Sequence, residues 1–308
     1  QWPIRQYGAL FLSNLHVKKY STLTIKKYRE YFINSLESSY SVKELQSIFY
    51  LLASKYLNLS RIDIALQFDD TLTSDEEINF NQAIDRLKNY EPVQYILGET
   101  EFFGYPFLVN KQVLIPRPET EELVAWIIED VKEKETTLLD IGTGSGCIAI
   151  SLAKKLNDAS VTAIDVSKEA IDVAKKNSAQ NHTKIEFMEV DVLHFKDNVE
   201  LQQKLNSKFD IIVSNPPYVR IKEQELMRPN VLKHEPDLAL YVANETPLLF
   251  YKKIVQLSKL YLKAGGRLYF EINEYLGNEL KKMLMEEGFK HVQIKKDMFG
   301  KDRMIKCW

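Results

Sequence analysis

One stretch constrains this chain more than any other: Leu138-Leu139-Asp140-Ile141-Gly142-Thr143-Gly144-Ser145-Gly146. A short apolar strand runs into three glycines at alternate positions, and an apolar helix continues through Leu156. Glycine allows the tight turn and lets backbone approach a ligand closely. The helix N-terminus beyond it favours electronegative atoms. Strand–glycine loop–helix is the opening unit of a parallel α/β sheet, and the following sequence keeps that rhythm. Residues 161–165, 185–189, 209–214 and 267–272 are β-prone and apolar, with helical stretches starting at Lys168 and spanning 248–262. The alternation predicts a doubly wound, Rossmann-like α/β fold with parallel strands. Residues 292–295 and 304–307 are two further strand candidates.

The sequence before the sheet is different. Residues 21–90 read as helices. Ser41 with Glu44, and Ser74 with Glu77, have capping-box spacing. Leu45, Ile48, Phe49 and Leu52 follow the first pair at helical spacing, and Ile78, Ala83, Ile84 and Leu87 follow the second. Pro92, Gly98, Gly104 and Pro106 then punctuate short β-prone pieces, the pattern of a hairpin. The organisation expected is a helical domain over 1–90, a β-hairpin linker over 91–115 and the sheet domain over 116–308. Residues 1–29 carry Arg5, Lys18, Lys19, Lys26, Lys27 and Arg29 with no acid. The expected reading is a helix face beginning near Ser21, not an organelle address.

With 45% hydrophobic and 27% charged residues over 308, a disordered or collagen-like chain is excluded. The net charge of −2 provides no global field for nucleic acid, and residues 1–84 balance nine Lys/Arg against nine Asp/Glu. DNA is therefore not an expected partner. Two cysteines, Cys147 and Cys307, cannot build a disulfide framework or a four-ligand zinc site, so no metal is expected and a reduced, cytoplasmic setting is the simplest. No apolar run reaches the roughly 18–20 residues of a membrane span, so no membrane partner is expected.

Asp165 ends the strand after the glycine loop, 19 residues beyond Gly146. A carboxylate there can accept hydrogen bonds from ribose hydroxyls. The third glycine comes one residue too early for a dinucleotide fingerprint, whose last position is occupied by Cys147. The loop also holds no Lys or Arg to neutralise a pyrophosphate, and no P-loop pattern occurs. A ligand with ribose but no phosphate fits best, and S-adenosylmethionine is such a ligand. Asp191, after the third strand, lies at the same carboxyl edge and is a candidate for the adenine or its neighbourhood.

The fourth strand runs into Ser214-Asn215-Pro216-Pro217-Tyr218-Val219. Two prolines remove backbone donors and stiffen the turn while their carbonyls remain acceptors. Asn215 adds a side-chain carbonyl. Together they form an uncharged acceptor pair able to hold a planar –NH2 group, with Tyr218 packing against it or walling the methyl channel. An amide nitrogen is a poor nucleophile because its lone pair is delocalised. Accepting both of its hydrogens orients it for attack on an already activated methyl donor, and proximity supplies much of the rate.

These residues resemble the peptide chain release factor glutamine N5-methyltransferase family over roughly residues 90–308. The resemblance is carried by Pro92-Val93-Gln94-Tyr95-Ile96-Leu97-Gly98, Leu114-Ile115-Pro116-Arg117-Pro118-Glu119-Thr120, the glycine loop, Asn215-Pro216-Pro217-Tyr218 and His234-Glu235-Pro236-Asp237-Leu238-Ala239-Leu240. It implies methyl transfer from S-adenosylmethionine to the side-chain amide of the Gly-Gly-Gln glutamine in class 1 release factors. By motif, Asn215, Pro216, Pro217 and Tyr218 would bind the glutamine, with Asn215, Pro216 and Tyr218 catalytic. Gly142, Thr143, Gly144, Ser145, Gly146, Asp165, Asp191, Val192 and Asn215 would hold the cofactor. The resemblance also implies a helical N-terminal domain, and docking the substrate is the role expected of it here because a whole release factor offers contacts that a short peptide lacks.

Three positions depart from the pattern. Ser145 stands where Thr is frequent, Val192 where an aromatic often follows the acid, and His234 where the family usually has Phe. His234 is read as a packed residue and not a general base, and Cys147 as a small buried residue and not a nucleophile. The main competing reading is a DNA adenine amino methyltransferase, which shares Asn-Pro-Pro-Tyr but should carry a basic recognition region. A non-catalytic translation-factor binder and a nicotinamide oxidoreductase are further alternatives. The intact Asn-Pro-Pro-Tyr counts against the first of these, and the glycine spacing against the second.

Overall fold

In the computed structural model, which describes residues 20–131, 135–197 and 208–308, the chain divides into two units, Gln1–Asn89 and Tyr90–Trp308. The basic stretch before Tyr20 lies outside the described residues. In the first unit a strand, β1 (Tyr20–Thr24), stands where a helix from Ser21 is expected, paired antiparallel with β2 (Thr71–Thr73). Both segments are rich in threonine, whose β-branch favours the extended chain.

Four helices follow in this unit: α1 (Ile25–Leu36), α2 (Val42–Leu57), α3 (Arg61–Leu66) and α4 (Ser74–Lys88). Thr24, Ser41, Ser60 and Thr73 cap them, each side chain accepting from the amide three residues on. The cap of α4 is Thr73 with Glu76, one residue ahead of the expected Ser74–Glu77 pair, because the extended end of β2 leaves Thr73 outside the helix. In that frame Phe80, Ala83, Ile84 and Leu87 face inward, and Ile78, two residues before Phe80 and on the opposite face, is 52% exposed. Phe80 stacks on Phe49 with ring centroids 5.5 Å apart, and Tyr28 and Tyr56 pack against it.

The second unit opens with α5 (Val93–Leu97) and the hairpin β3 (Glu99–Phe102)–β4 (Tyr105–Leu108). The sheet elements then run α6 (Pro118–Asp130), β5 (Thr137–Ile141), α7 (Cys147–Lys155), β6 (Ser160–Asp165), α8 (Lys168–Gln180), β7 (Ile185–Glu189) and β8 (Phe209–Ser214). Short strands β9 (Val219–Arg220) and β10 (Tyr241–Val242) pair in parallel, bracketing the intervening segment. The strands β11 (Leu262–Glu271), β12 (Val292–Lys296) and β13 (Asp302–Cys307) complete the chain.

The seven-stranded sheet has the order β12-β13-β11-β8-β5-β6-β7. The five strands from β11 to β7 are parallel. The two terminal strands pair antiparallel at one edge, so the sheet is mixed and not wholly parallel. They are joined by a short connection around Asp297–Gly300 with no room for a crossover helix.

Strand alternation sends neighbouring residues to opposite faces. Leu139, Ile212 and Phe270 pack beneath the helix Leu249–Tyr261, whereas Leu138, Ile211 and Tyr269 pack against α6 and α7. β5 pairs with β6 on one side and β8 on the other, so the chain reverses its direction of travel there. Such a switch point opens a crevice at the carboxyl ends of the strands.

Several side chains bind the hairpin into this unit, Asn181 donating to Pro106 O and Glu121 accepting from Phe103 N, and one buried side chain makes the most ties. Asn177 of α8 accepts from Leu108 N at 2.7 Å and donates to Leu108 O at 3.0 Å. It also donates to Ser145 O at 2.9 Å, so hairpin, helix and glycine loop meet at one fully buried amide. Replacing Asn177 with Ala strands the Leu108 amide and two carbonyls. At ~1–3 kcal/mol for a buried unsatisfied group, a loss of about 3 kcal/mol is expected, read as a lower urea midpoint with unchanged slope.

Candidate active site

The crevice holds a cavity of about 330 Å³, within the usual range for a small-molecule site. Its floor is the glycine loop. Gly142, Gly144 and Gly146 all have positive φ (73°, 55° and 81°), which explains three glycines at alternate positions. Their duties differ. A Cβ at Gly142 or Gly144 would meet no protein atom within 4 Å, so both expose bare backbone to the cavity they line. Gly146 lies behind the lining: a Cβ there would sit 2.9 Å from Ile150 Cδ1 and 3.2 Å from Ala174 Cβ. It serves the close packing of α7 on α8, whereas the sequence expects it against the ligand.

Most of the loop amides are already engaged. Gly142 N and Thr143 N both donate to Ile164 O, and Gly144 N donates to Asp165 Oδ2 at 2.8 Å. These amides are turned into the protein, unlike the outward-pointing nest that holds a phosphate. Asp165 accepts from Ser167 N with its other oxygen at 2.9 Å. It therefore ties the glycine loop to the end of β6 while lining the cavity. A carboxylate oxygen has two lone pairs, so acceptor capacity remains for a ligand hydroxyl. Burial raises the proton affinity of Asp165, opposed by these backbone donors.

Asp191 and Val192 line the next part of the wall. The Asp191 carboxylate is turned into its own turn, Oδ1 accepting from Leu193 N at 2.8 Å and Oδ2 lying 2.6 Å from His194 Nδ1. Cys147 also lines the cavity, and burial pushes its thiol up to about 12. Its side chain is half-buried, and the raised proton affinity disfavours the thiolate that a nucleophile needs.

The opposite wall is the turn after β8. Ser214 Oγ donates to Ile141 O at 2.7 Å, joining β8 to β5 where the crevice opens. Asn215, Pro216 and Pro217 line the cavity. Tyr218 does not: it packs against the hydrophobic core, and its hydroxyl donates to Glu271 Oε1 at 2.9 Å. The ring expected against the reacting group is thus half-buried and tethered through its hydroxyl to a buried carboxylate.

Two segments close the mouth. Leu114, Pro116, Arg117 and Thr120 come from one, and Pro236, Asp237, Leu238 and Ala239 from the other. Glu235, with a side chain 1% exposed, holds them together, accepting from Arg117 Nη2 at 2.6 Å and from Ile115 N at 3.3 Å. His234 lies outside the cavity lining. Residue-level reading missed Glu235, Thr120 and Glu271. A visible signal was there for Glu271, an acid closing an apolar strand at the carboxyl edge.

Beneath the loop, Asp140 is fully buried and accepts from Thr143 Oγ1 at 2.7 Å. Burial raises its carboxyl to about 7. An unfolded Asp titrates near ~3.9, so between about pH 4 and about pH 7 the folded state binds the extra proton. Stability from this group is therefore present at low pH and lost as pH rises through that window, with a slope of at most about 1.4 kcal/mol per pH unit. Asp140→Asn should flatten this part of the profile in denaturant titrations run at successive pH values, and an unchanged slope would remove Asp140 as its source.

Comparison with known proteins adds family relationships to this geometry. The Methyltransferase small domain model matches residues 121–234, and the PrmC N-terminal domain model matches residues 28–98. The release factor glutamine methyltransferase of Flavobacterium psychrophilum is 49% identical over 288 residues, covering 92% of this chain and 99% of that protein. The protein of the same name from Bacteroides thetaiotaomicron is 42% identical, covering 89% and 96%. Among solved structures, the hMettl16 catalytic domain superposes with a TM-score of 0.56 at 21% identity, over 71% of this chain and 82% of that one, a likeness of fold. Among the described residues, no helix is long and apolar enough to cross a membrane.

Proposed function

The chain belongs to the release factor glutamine methyltransferase family, and from that premise we propose how its residues carry a methyl group to the glutamine of the Gly-Gly-Gln motif in class 1 release factors. One observation carries the reading. A single cavity at the switch point is lined on one side by bare glycine backbone and Asp165, and on the other by Asn215-Pro216-Pro217. A ribose-bearing donor and an amide-bearing acceptor thereby share one crevice.

The residues fit S-adenosylmethionine. Gly142 and Gly144 leave the room a side chain would fill, and Asp165 keeps acceptor capacity for ribose hydroxyls. The inward-turned loop amides suit a ligand without phosphates. When bound, S-adenosylmethionine supplies a methyl group already activated on a sulfonium. Val192 and Asp191 form the wall assigned to the adenine end.

Asn215 Oδ1 and the Pro216 carbonyl accept the two hydrogens of the glutamine amide. These dipoles are held by a rigid turn, so they need no reorganisation as positive charge grows on the nitrogen. Arg117–Glu235 closes the mouth and limits water. The first unit takes the role of docking the release factor, and the cytoplasm is the setting this reading expects. The DNA amino-group alternative would need a basic recognition surface, and residues 1–84 are charge-balanced. The protein substrate in the relatives' names favours the first reading as well.

The direct test is mass spectrometry of a release factor incubated with enzyme and S-adenosylmethionine. A mass gain of one methylene on the Gly-Gly-Gln glutamine is expected, and methyl incorporated into DNA in its place would overturn the function. Asn215→Ala should lower kcat by about a hundredfold, the ~3 kcal/mol of an oriented dipole in a dry site. Its calorimetric affinity for S-adenosylmethionine should fall much less, and near-normal turnover would sink its assignment.

The docking role has its own test. A shortened chain beginning at Tyr90 should still bind S-adenosylmethionine. Its kcat/KM should drop far more on whole release factor than on a Gly-Gly-Gln peptide. Equal losses on both would take docking away from the first unit.

A further inference from the structure

Thr120 and Glu271 have no place in the reaction as described so far, yet they stand directly behind its key acceptor. Glu271 closes β11 at the carboxyl edge of the sheet and is 1% exposed. Its Oε2 accepts from Thr120 Oγ1 at 2.6 Å and its Oε1 from Tyr218 OH at 2.9 Å. Two hydroxyls aimed at two carboxyl oxygens is the pattern of an acceptor carboxyl group; burial raises its proton affinity, and the two hydroxyls and the Arg303 guanidinium oppose that rise.

A hydroxyl has one proton to donate. That of Thr120 is given to Glu271, so toward Asn215, 3.4 Å away, Thr120 presents only a lone pair. The amide atom facing Thr120 must then be the donor, Nδ2. With Nδ2 committed, the carbonyl Oδ1 is left to face the cavity that Asn215 lines. Without the relay the two amide atoms are nearly isosteric, and a flipped Asn215 would offer a donor to a substrate –NH2 group that needs an acceptor.

We propose that Thr120 and Glu271 are positioning residues for methyl transfer: Glu271 fixes the Thr120 hydroxyl, and Thr120 fixes the Asn215 amide with its carbonyl turned into the site. The other carboxyl oxygen of Glu271 anchors Tyr218, so both ends of the Asn215–Tyr218 turn hang from one buried group. Asn273 adds a third tie, donating from Nδ2 to Tyr218 O at 3.0 Å. The acceptor is thereby aimed before substrate arrives, the condition under which a dipole contributes most to rate. This inference rests on the reading that Asn215 Oδ1 accepts from the glutamine amide.

The test is a double-mutant cycle on the full chain with whole release factor. It follows kcat, KM and calorimetric affinity for S-adenosylmethionine. Thr120→Val keeps the shape and removes the relay, and kcat should fall roughly tenfold or more, the effect of one misdirected buried hydrogen bond. KM and cofactor affinity should stay near wild type, and Thr120→Ser should recover most of the rate. Combined with Asn215→Ala, Thr120→Val should add less than about twofold, because the two residues act as one unit.

Glu271→Gln asks the same question should Thr120→Val not fold, since an amide there donates toward one of the two hydroxyls. It should lower kcat with cofactor affinity kept. Wild-type kcat in Thr120→Val beside an inactive Asn215→Ala would overturn the relay while leaving the site reading intact. So would multiplicative losses in the double variant, or a loss of cofactor affinity equal to the loss of rate. Wild-type turnover in Asn215→Ala would instead remove the acceptor itself, and the relay with it.

Discussion

The reversal of strand order at β5 is the constraint on which the site depends. Because β5 pairs with β6 on one side and β8 on the other, the loops that follow these strands part from one another and leave a crevice. Each loop carries a different chemistry to that crevice. The loop after β5 supplies bare backbone, the end of β6 a carboxylate, and the turn after β8 a rigid pair of acceptors. The Ser214 hydroxyl on Ile141 O pins the two sides at the point where they diverge.

Around this crevice buried and half-buried acids accept from hydroxyls and amides. Asp140 is held by Thr143, Asp165 by the amides of Gly144 and Ser167, and Glu271 by Thr120 and Tyr218. Each bond takes a group whose burial is costly and uses it to orient something else. Asp165 sets the glycine loop, and Glu271 sets the turn that bears Asn215. Glu235 does the same with an ion pair, joining two segments more than a hundred residues apart across the mouth of the cavity. Stability and alignment therefore draw on the same contacts, and the Asn177 amide extends this to the hairpin and α8.

Much of this was legible in the residues. The β5–loop–α7 unit, the acid after the next strand and the Asn-Pro-Pro-Tyr turn all depend on local chemistry: φ angles open only to glycine, missing proline donors, and alternation along a strand. The exceptions have local causes too. Threonines turned the expected helical start at Ser21 into β1. The cap of α4 moved from Ser74 to Thr73 because β2 ends in an extended residue. The 292–295 and 304–307 strands were found, but their antiparallel sense depends on the short connection between them and not on either strand's composition.

What the sequence by itself determined was an inventory: the strands of the main sheet and the helices between them, which loop is bare, and which turn is rich in acceptors. These follow from neighbours along the chain. What only the tertiary structure decided was how that inventory is divided between contact and support. Gly142 and Gly144 face the cavity while Gly146 packs α7 on α8; Asn215 lines the site while Tyr218 turns back to Glu271. Thr120 and Glu271 lie 151 residues apart and meet at 2.6 Å. No local pattern links them, because their hydrogen bond exists only where the N-terminal turn of α6 and the carboxyl end of β11 are brought to the same edge of the sheet.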